Sequence, residues 1–242
     1  MQISNNKILI TGGASGIGFG LAERFIAENN TVIICGRRAS ALAEAAEKLP
    51  SVITHQCDLS VPEEREALFA WIIEEHNDLN VLINNAGIQN WMAVFDGDFY
   101  SRAKDEITVN IEAPIHLAAL FSKMKSITTI INVTSGLSFV PLTKVPVYSA
   151  TKAFLHSFTL SLRHLLEPQN IEVIEMIPPA LNTDLGGKGL HDHAPPVSAF
   201  IDAIFEQLKA GKTELTFGFS EHMSKAGPED LKAAFARLNP VG

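Results

Sequence analysis

The stretch Lys7–Gly18 (KILITGGASGIG) decides the fold of this chain. A short apolar run leads directly into a turn with glycine at Gly12, Gly16 and Gly18, and an amphipathic segment follows to Glu28. Glycine permits a tight turn and a close approach of the backbone to a pyrophosphate, and a helix N-terminus offers free N–H groups and the positive end of its dipole. The order strand, glycine turn, helix therefore favours dinucleotide binding over an ordinary glycine turn, which is the alternative.

The same alternation of short apolar runs and amphipathic stretches recurs along the 242-residue chain. Runs rich in Ile and Val are typical of strands covered on both faces, and intervening helices predict parallel strands with right-handed crossovers. We therefore predict one α/β domain over residues 1–242, with a doubly wound parallel sheet. The predicted strands are 7–10, 31–35, 52–57, 80–83, 128–133, 171–177 and 213–217, and the predicted helices include 17–28, 98–125, 147–167 and 196–210. A capping box at 60–63, with proline in the first turn, predicts a further helix that runs to His76.

Composition excludes several classes of protein. The net charge is −8 and no block of Lys or Arg exceeds two residues, so we expect no nucleic-acid partner. No apolar stretch reaches about 18 residues, so we expect no membrane span. The N-terminal apolar run is too short for a signal peptide, and the only cysteines, Cys35 and Cys57, suit packing in a reducing compartment. These features predict a cytoplasmic protein.

The ends of the second and third predicted strands carry candidate cofactor contacts. Arg37 and Arg38 stand where a carboxylate would bind a ribose 2′-hydroxyl, and a guanidinium suits a 2′-phosphate. This favours NADP over NAD, although both arginines could instead be solvated residues that begin a helix. Asp58 could accept a hydrogen bond from the adenine amino group, with Leu59 near the ring, or it could be a turn or capping residue. The small residues of 84–87 (NNAG) could let the chain pass close to a ligand, with their amides tying strands together, or form a simple turn.

Three residues near the fifth predicted strand and the helix after it are candidates for catalysis. Ser135 follows the strand, and strand carboxyl ends face the ligand crevice of an open parallel sheet. Tyr148 and Lys152 lie four residues apart, so on a helix they share one face. An ammonium near a phenol is expected to lower the tyrosine pKa from about 10 toward neutrality. We therefore expect proton exchange with an alcohol or carbonyl, with Ser135 donating to the same oxygen.

Five motifs in order resemble the short-chain dehydrogenase/reductase family over about residues 5–185. They are TGGASGIG at 11–18, NNAG at 84–87, Asn110, Ser135 and the Y-x-x-x-K of 148–152. The resemblance implies a Rossmann-type sheet of seven parallel strands in the order 3-2-1-4-5-6-7, with helices on both faces. It also implies a cofactor, NADP with NAD possible, and a small carbonyl or alcohol substrate.

The resemblance assigns roles to a catalytic tetrad. Tyr148 is the implied general acid or base, Lys152 also holds the nicotinamide ribose, and Ser135 polarises the substrate oxygen. Asn110 is implied to hold a water in a proton relay. The implied cofactor contacts are Gly12, Ser15, Gly16, Ile17, Gly18, Arg37, Asp58, Leu59, Asn85, Ala86, Gly87, Tyr148, Lys152, Pro178 and Thr183.

Within the family, the stretches VIICGRR, NNAGIQ, VTSGL and IEVIEMIPPALNTD resemble oxidoreductases named after the D-alanine transfer (Dlt) locus. That name records genetic neighbourhood for some members and does not establish a substrate.

Two features depart from the family pattern. Pro178 is followed by Pro179 where glycine is usual, which can redirect the loop that carries Thr183, and the tail 211–242 lacks the common ending. A homodimer or homotetramer through the helices near 98–125 and 147–167 is implied, and the part of the tail in assembly is left open.

The expected substrate pocket is apolar, which favours an apolar or moderately polar ketone or secondary alcohol. Its candidate lining residues, each of which could instead be core, are Trp91, Met92, Leu137, Phe139, Val140, Leu142 and Val145. Residues 185–197 are expected to be a mobile substrate loop, with a plain surface loop as the alternative. His191 and His193 are too few ligands for a metal site, and no metal is expected.

Two other functions compete with an oxidoreductase. A non-catalytic NADP-binding sensor or interaction protein could keep the fold, but such proteins can lose the tyrosine or lysine that this chain retains. A nucleotide-sugar epimerase normally needs an extra substrate domain, for which about 60 residues after the sixth strand leave little room. The sequence therefore favours an NADP-linked oxidoreductase.

Overall fold

The structure is a computed structural model that describes residues 1–240. Its seven strands are all parallel and lie in the order β3-β2-β1-β4-β5-β6-β7, which confirms the order implied by the family resemblance. The predicted strand bounds agree with the observed ones to within one residue at each end. The strands are β1 Lys7–Thr11, β2 Thr31–Gly36, β3 Ile53–Gln56, β4 Val81–Asn84, β5 Thr129–Val133, β6 Glu172–Ile177 and β7 Glu214–Thr216.

Helices on both faces cover this sheet. Within residues 1–240 they are α1 Gly16–Ala27, α2 Ala39–Lys48, α3 Pro62–Glu75, α4 Phe99–Ile107, α5 Ala113–Phe121, α6 Pro146–Leu166, α7 Val197–Lys209, α8 Phe219–Met223 and α9 Pro228–Leu238. Helices α2, α8 and α9 lie outside the predicted ones. The predicted capping box at 60–63 is wrong: no side chain caps α3, and the Ser60 hydroxyl donates to Asp58 instead.

Two apolar cores lie on opposite faces of the sheet because successive strand residues point to opposite sides. In β1, Ile8 and Ile10 join the core that contains Phe25, whereas Leu9 joins the core that contains Phe121. All five side chains are fully buried. The near-continuous apolar runs in the sequence are therefore explained by burial of both faces.

The predicted helix over 98–125 is interrupted by a π-helical turn, Thr108–Glu112, between α4 and α5. Pro114 lies in the first turn of α5 and has no N–H to donate to the carbonyl of Asn110, so the regular i to i−4 pattern cannot continue. Asn110 lies in the π-helical turn with only 1% of its surface exposed. Such turns are frequent at functional sites.

The tail packs against the segment that follows β5. A Cβ atom at Gly136 would lie 3.0 Å from the ring of Phe219 in α8. Just after α9, the Asn239 amide accepts the Thr143 N–H at 2.7 Å and donates to the Pro141 carbonyl at 3.0 Å. The C-terminal helices therefore support one wall of the expected substrate pocket. No helix in the described part of the chain is long and apolar enough to cross a bilayer.

The Thr11 hydroxyl joins the ends of β1 and β4, and its removal tests that junction. It accepts the N–H groups of Asn85 and Ala86, both at 3.0 Å. We expect Thr11→Val to lower the free energy of unfolding by about 1–3 kcal/mol, because two partly buried donors lose their acceptor. Thr11→Ser keeps the hydroxyl and should cost less than about 1 kcal/mol. Urea unfolding measures both, and equal losses in the two variants would contradict this role of the hydroxyl.

Candidate active site at the carboxyl edge of the sheet

The predicted site residues lie along the carboxyl edge of the parallel sheet. Most of them follow β1, β2, β3, β4, β5 and β6, whereas Tyr148 and Lys152 come from α6 and Asn110 from the π-helical turn beside that edge. Crevices at this edge, where the strand order reverses between β1 and β4, are the usual ligand sites of such folds. The structure therefore brings the residues that the sequence singled out to one edge of the sheet.

The glycine turn after β1 leaves a cradle that a side chain would fill. Gly12 has a φ of +64°, and a Cβ atom there would lie 2.9 Å from the Cα of Ala86. A Cβ at Gly18 would lie 2.4 Å from the Gly12 carbonyl. Ser15 stands at the N-terminus of α1 without a side-chain capping bond, so the first-turn N–H groups remain available to an anion. A Cβ at Gly16 would be 3.4 Å from Thr183, which places the loop after β6 beside this turn despite Pro179.

The NNAG segment ties strands together, as the sequence predicted. The Asn85 amide donates to the carbonyls of Thr11 and Gly12 at 2.9 and 3.2 Å. The Asn84 amide donates to Asn132 at 2.9 Å, and the Asn132 amide donates onward to Thr159 at the same distance. These bonds fix the ends of β1, β4 and β5 relative to α6.

Arg37 and Asp58 face each other at the ends of β2 and β3. An Arg37 guanidinium nitrogen lies 4.0 Å from Asp58 Oδ2, and 73% of the arginine side chain is exposed. Asp58 Oδ1 accepts hydrogen bonds from the N–H and the hydroxyl of Ser60. This oxygen therefore acts as that of a turn residue, which was the alternative to an adenine contact. Burial acts to raise the pKa of Asp58, but the Ser60 hydrogen bonds and the Arg37 charge outweigh it and hold the pKa below its usual value. Leu59 is buried in the core beneath.

Asn110 binds the backbone that follows β4. Its Oδ1 accepts the Ile88 N–H and its Nδ2 donates to the Ile88 carbonyl, each at 2.9 Å. Nδ2 also donates to the Thr151 hydroxyl at 3.1 Å. The side chain is therefore occupied in holding the crevice wall to α6.

Tyr148 and Lys152 are both buried beside Ser135, yet the predicted electrostatic effect on the tyrosine is wrong. Burial raises the pKa of the Tyr148 phenol to about 12, a hydrogen bond with Ser135 opposes the rise, and the charge of Glu106 adds to it. The Lys152 Nζ lies 5.7 Å from the Tyr148 ring centroid and donates to the Val133 carbonyl at 2.7 Å. Burial lowers the pKa of Lys152 to about 8. The structure thus presents a protonated phenol at neutral pH.

Glu106 is a buried carboxyl group near this site that sequence analysis missed. It lies in α4, is 0% exposed, and its Oε1 accepts the Asn90 N–H at 2.5 Å. Burial raises its pKa to about 7, against the opposing effects of the Asn90 hydrogen bonds and the Arg102 charge. The available signal was a carboxylate one turn before Asn110 on the same helix face.

The expected pocket lining divides into two groups. Leu137, Phe139 and Leu142 are half-buried, so they can contact a ligand, whereas Val140 and Val145 are fully buried and belong to the core. The remaining two candidates follow β4, where Trp91 is 37% exposed and Met92 is 5% exposed.

Residues 185–196, which contain the two loop histidines, form turns without a regular helix or strand. Residues 1–240 contain no group of three or more His, Cys, Asp or Glu side chains arranged to hold a metal ion. Cys35 and Cys57 are buried free thiols, as their predicted packing role requires. Burial raises the pKa of Cys57 to about 12, so neither thiol is activated as a nucleophile by its surroundings.

A second buried network supports the residue before Ser135. Glu175 in β6 is 0% exposed, and its carboxylate contacts His156 Nδ1 at 2.9 Å. The Thr134 hydroxyl donates to the same carboxylate at 2.7 Å. The hydrogen bond with Glu175 raises the pKa of His156, against the opposing effect of burial. These hydrogen bonds therefore anchor the end of β5 to α6.

Comparison with known proteins gives consistent matches over most of the chain. A family model described as short chain dehydrogenase matches residues 6–193. "Uncharacterized oxidoreductase DltE" of Bacillus subtilis (strain 168) is 44% identical over 253 residues, covering 99% of this chain and 98% of that protein. This confirms the predicted resemblance to the Dlt-named branch.

Two solved structures are also similar. A short chain dehydrogenase from Burkholderia cenocepacia J2315 in complex with NADP superposes with a TM-score of 0.85 at 26% identity, covering 98% of this chain and 99% of that one. A short-chain dehydrogenase from Sphingobium yanoikuyae in complex with NADPH has a TM-score of 0.77 at 28% identity, covering 87% of each chain.

The His156–Glu175 pair predicts a pH dependence of stability. Because the folded-state pKa of His156 is raised, its contribution is complete below the unfolded pKa of about 6.5 and is lost as the pH rises through the folded value. We expect His156→Gln to destabilise the protein most at low pH, with a difference from the parent that shrinks toward pH 8.5. Urea unfolding at a series of pH values measures this. His164→Gln, at an exposed position of the same helix, is the control, and a pH-independent difference for His156→Gln would contradict the pairing.

Proposed function

The chain belongs to the short-chain dehydrogenase family, and from this premise we propose that it is an oxidoreductase that uses NADP, with NAD as a weaker alternative. Its substrate is a small ketone or secondary alcohol. The observation that carries the proposal is the joint burial of Tyr148, Ser135 and Lys152 at the carboxyl edge of the sheet, where Lys152 borders Gly87. Their retention also supports an enzyme over a non-catalytic sensor of the same fold.

The residues after β1 and β2 fit the proposed dinucleotide. The uncapped N-terminus of α1 and the cradle at Gly12 and Gly18 suit a pyrophosphate. Arg37 is largely exposed at the end of β2, where a 2′-phosphate would accept its N–H groups. The bound cofactors in the Burkholderia and Sphingobium structures, NADP and NADPH, support the same assignment. Asp58, beside Arg37, remains the candidate for the adenine amino group.

The chemistry supplied by the cofactor when bound is hydride transfer at the nicotinamide ring. Tyr148 keeps its proton at neutral pH, so it acts as the general acid that protonates the carbonyl oxygen during reduction. Ser135 donates to the same oxygen and orients it. Lys152 uses one N–H on the Val133 carbonyl and has two left for a ribose.

The half-buried Leu137, Phe139 and Leu142 favour an apolar or moderately polar substrate. Residues 185–197 are proposed to close over it as a mobile loop, since residues 185–196 form turns and Gly186 lies beside the Trp91 indole. A homodimer or homotetramer through α4 and α6 is supported by exposed apolar side chains on α6, among them Phe154 at 44%. The buried free thiols support a reducing, cytoplasmic location.

Tyr148→Phe tests the proton transfer. We expect NADPH binding within about 2-fold of the parent and a loss of about 10²-fold or more in kcat, because the variant lacks only the acidic hydroxyl. A screen of carbonyl compounds at the nicotinamide absorbance identifies a substrate, and fluorescence titration measures NADPH binding. Turnover within a few-fold of the parent would overturn the role of Tyr148.

Arg37→Ala tests the cofactor assignment. We expect NADPH affinity to fall by about 10-fold or more while NADH affinity stays nearly constant, because only NADPH carries the 2′-phosphate. Arg237→Ala, at an exposed position in α9, is the matched control. Equal loss for both coenzymes, measured by fluorescence titration, is incompatible with a phosphate contact.

A further inference from the structure

One face of α4 and the π-helical turn holds the segment that follows β4. Arg102 donates to the carbonyl of Trp91, Glu106 accepts the Asn90 N–H, and Asn110 both accepts from and donates to Ile88. The three side chains are spaced by four residues, and their backbone partners are neighbours along residues 88–91. We call residues 88–91 the wall segment. It is fixed by hydrogen bonds from a single helical face.

The wall segment connects the buried network with the expected substrate loop. A Cβ atom at Gly186 would lie 2.8 Å from Gln89 Oε1 and 3.3 Å from the Trp91 indole nitrogen. On its other side, Asn110 links the segment to Thr151 in α6, between Tyr148 and Lys152. Displacement of the wall would therefore affect both the substrate loop and the catalytic helix.

Glu106 differs from the other two side chains because half of its carboxyl group has no partner. Oε1 accepts the Asn90 N–H, whereas Oε2 is buried and makes no hydrogen bond to any residue from 1 to 240. A buried carboxylate oxygen without a donor is costly, and a proton on the group removes most of that cost. The geometry therefore favours the neutral acid and makes the charged form a high-energy state of the same side chain.

The titratable and charged groups that face Glu106 are few. Arg102 lies one turn earlier on α4 and is shared with Asp96 and Asp98. Tyr148 lies across from it on α6, and the two groups interact electrostatically. The wall segment contains no titratable side chain, and Lys152 borders Gly87 next to Asn110. Glu106 is thus the acidic group whose charge acts on the tyrosine, across the contact between α4 and α6.

We propose that Glu106 is a positioning residue for the reduction proposed above, and that its proton controls the acidity of Tyr148 while its Oε1 holds the wall segment. In the reaction, hydride passes to the carbonyl carbon, the phenol proton passes to the carbonyl oxygen, and a phenolate remains. A charged Glu106 would place a second negative charge beside that phenolate in a buried site, which disfavours its formation. The neutral form lacks this repulsion. Reduction should therefore slow as Glu106 ionises near neutral pH.

Glu106→Gln is the central test, since the amide is permanently neutral and keeps an oxygen acceptor for the Asn90 N–H. The ratio of parent kcat to Glu106→Gln kcat for reduction should fall by about 3-fold or more between pH 6 and pH 9, because the titration of Lys152, whose pKa burial lowers to about 8, contributes equally to both profiles. Asp105→Asn, an exposed neighbour with the same change of charge, should follow the parent. Glu106→Leu removes both functions and should also raise KM for the carbonyl. Parallel pH profiles for the parent and Glu106→Gln would overturn the proposal.

A spectroscopic measurement separates this inference from the proposed function. The chain has two tyrosines, and Tyr100 is 81% exposed. In a Tyr100→Phe background labelled with ¹³Cζ-tyrosine, Tyr148 therefore gives the only tyrosine signal. In that background we expect Glu106→Gln to lower the pH of the phenol titration by roughly one unit. An unchanged titration in an active enzyme refutes the role of Glu106 alone. If no carbonyl compound is turned over but the phenol titration is shifted, the proposed reaction is refuted and the role of Glu106 is not.

A measurement on the parent covers the case in which Glu106→Gln does not fold. The δ-carbon of ¹³C-labelled glutamate reports each carboxyl titration by NMR, and one resonance should titrate near pH 7, well above the usual glutamate pKa of about 4.3. Asp105→Asn should leave that resonance in place. If all glutamate resonances titrate below about pH 5, Glu106 is charged at neutral pH and the proposal fails.

Discussion

The junction between the ends of β1 and β4 is the constraint on which the site depends. The two strands are neighbours in the sheet, but the chain leaves them toward opposite sides, so a crevice opens where their ends separate. The Thr11 hydroxyl and the Asn85 amide hold the ends together. Gly12 makes this possible because a side chain there would collide with Ala86. The glycine turn, the wall segment and the Ser135 strand end are all placed relative to this junction.

Burial, more than pairing of charges, sets the electrostatics of the crevice. It raises the pKa of Tyr148 to about 12 and that of Glu106 to about 7, and it lowers that of Lys152 to about 8. All three shifts favour the uncharged form, as desolvation requires. In such surroundings one added or removed charge acts more strongly than it would in water. The charge of Glu106 therefore raises the pKa of Tyr148 from a neighbouring helix.

The sequence predicted the features that arise from local pattern. Strand bounds follow from runs of Ile and Val, and the motif residues reach one edge because parallel strands end there. The direction of the Tyr148 pKa shift could not be obtained this way. Spacing of four residues places Lys152 on the same helix face, but it does not show that Nζ turns to the Val133 carbonyl or that the phenol is buried. The role of Glu106 could not be predicted for a similar reason, since its hydrogen-bond partner Asn90 lies 16 residues away in an irregular segment.

The π-helical turn explains how one helix can hold the whole wall segment. A regular α-helix advances about 100° per residue, so positions four apart drift by about 40° around the axis and Arg102, Glu106 and Asn110 would fan out over about 80°. The wider turn at Thr108–Glu112 rotates less per residue, which brings Asn110 back toward the line of Glu106. Pro114 makes that turn favourable because it cannot donate to the Asn110 carbonyl. Pro114, which the sequence analysis placed inside a continuous helix, thus helps to align the side chains that fix the wall of the crevice.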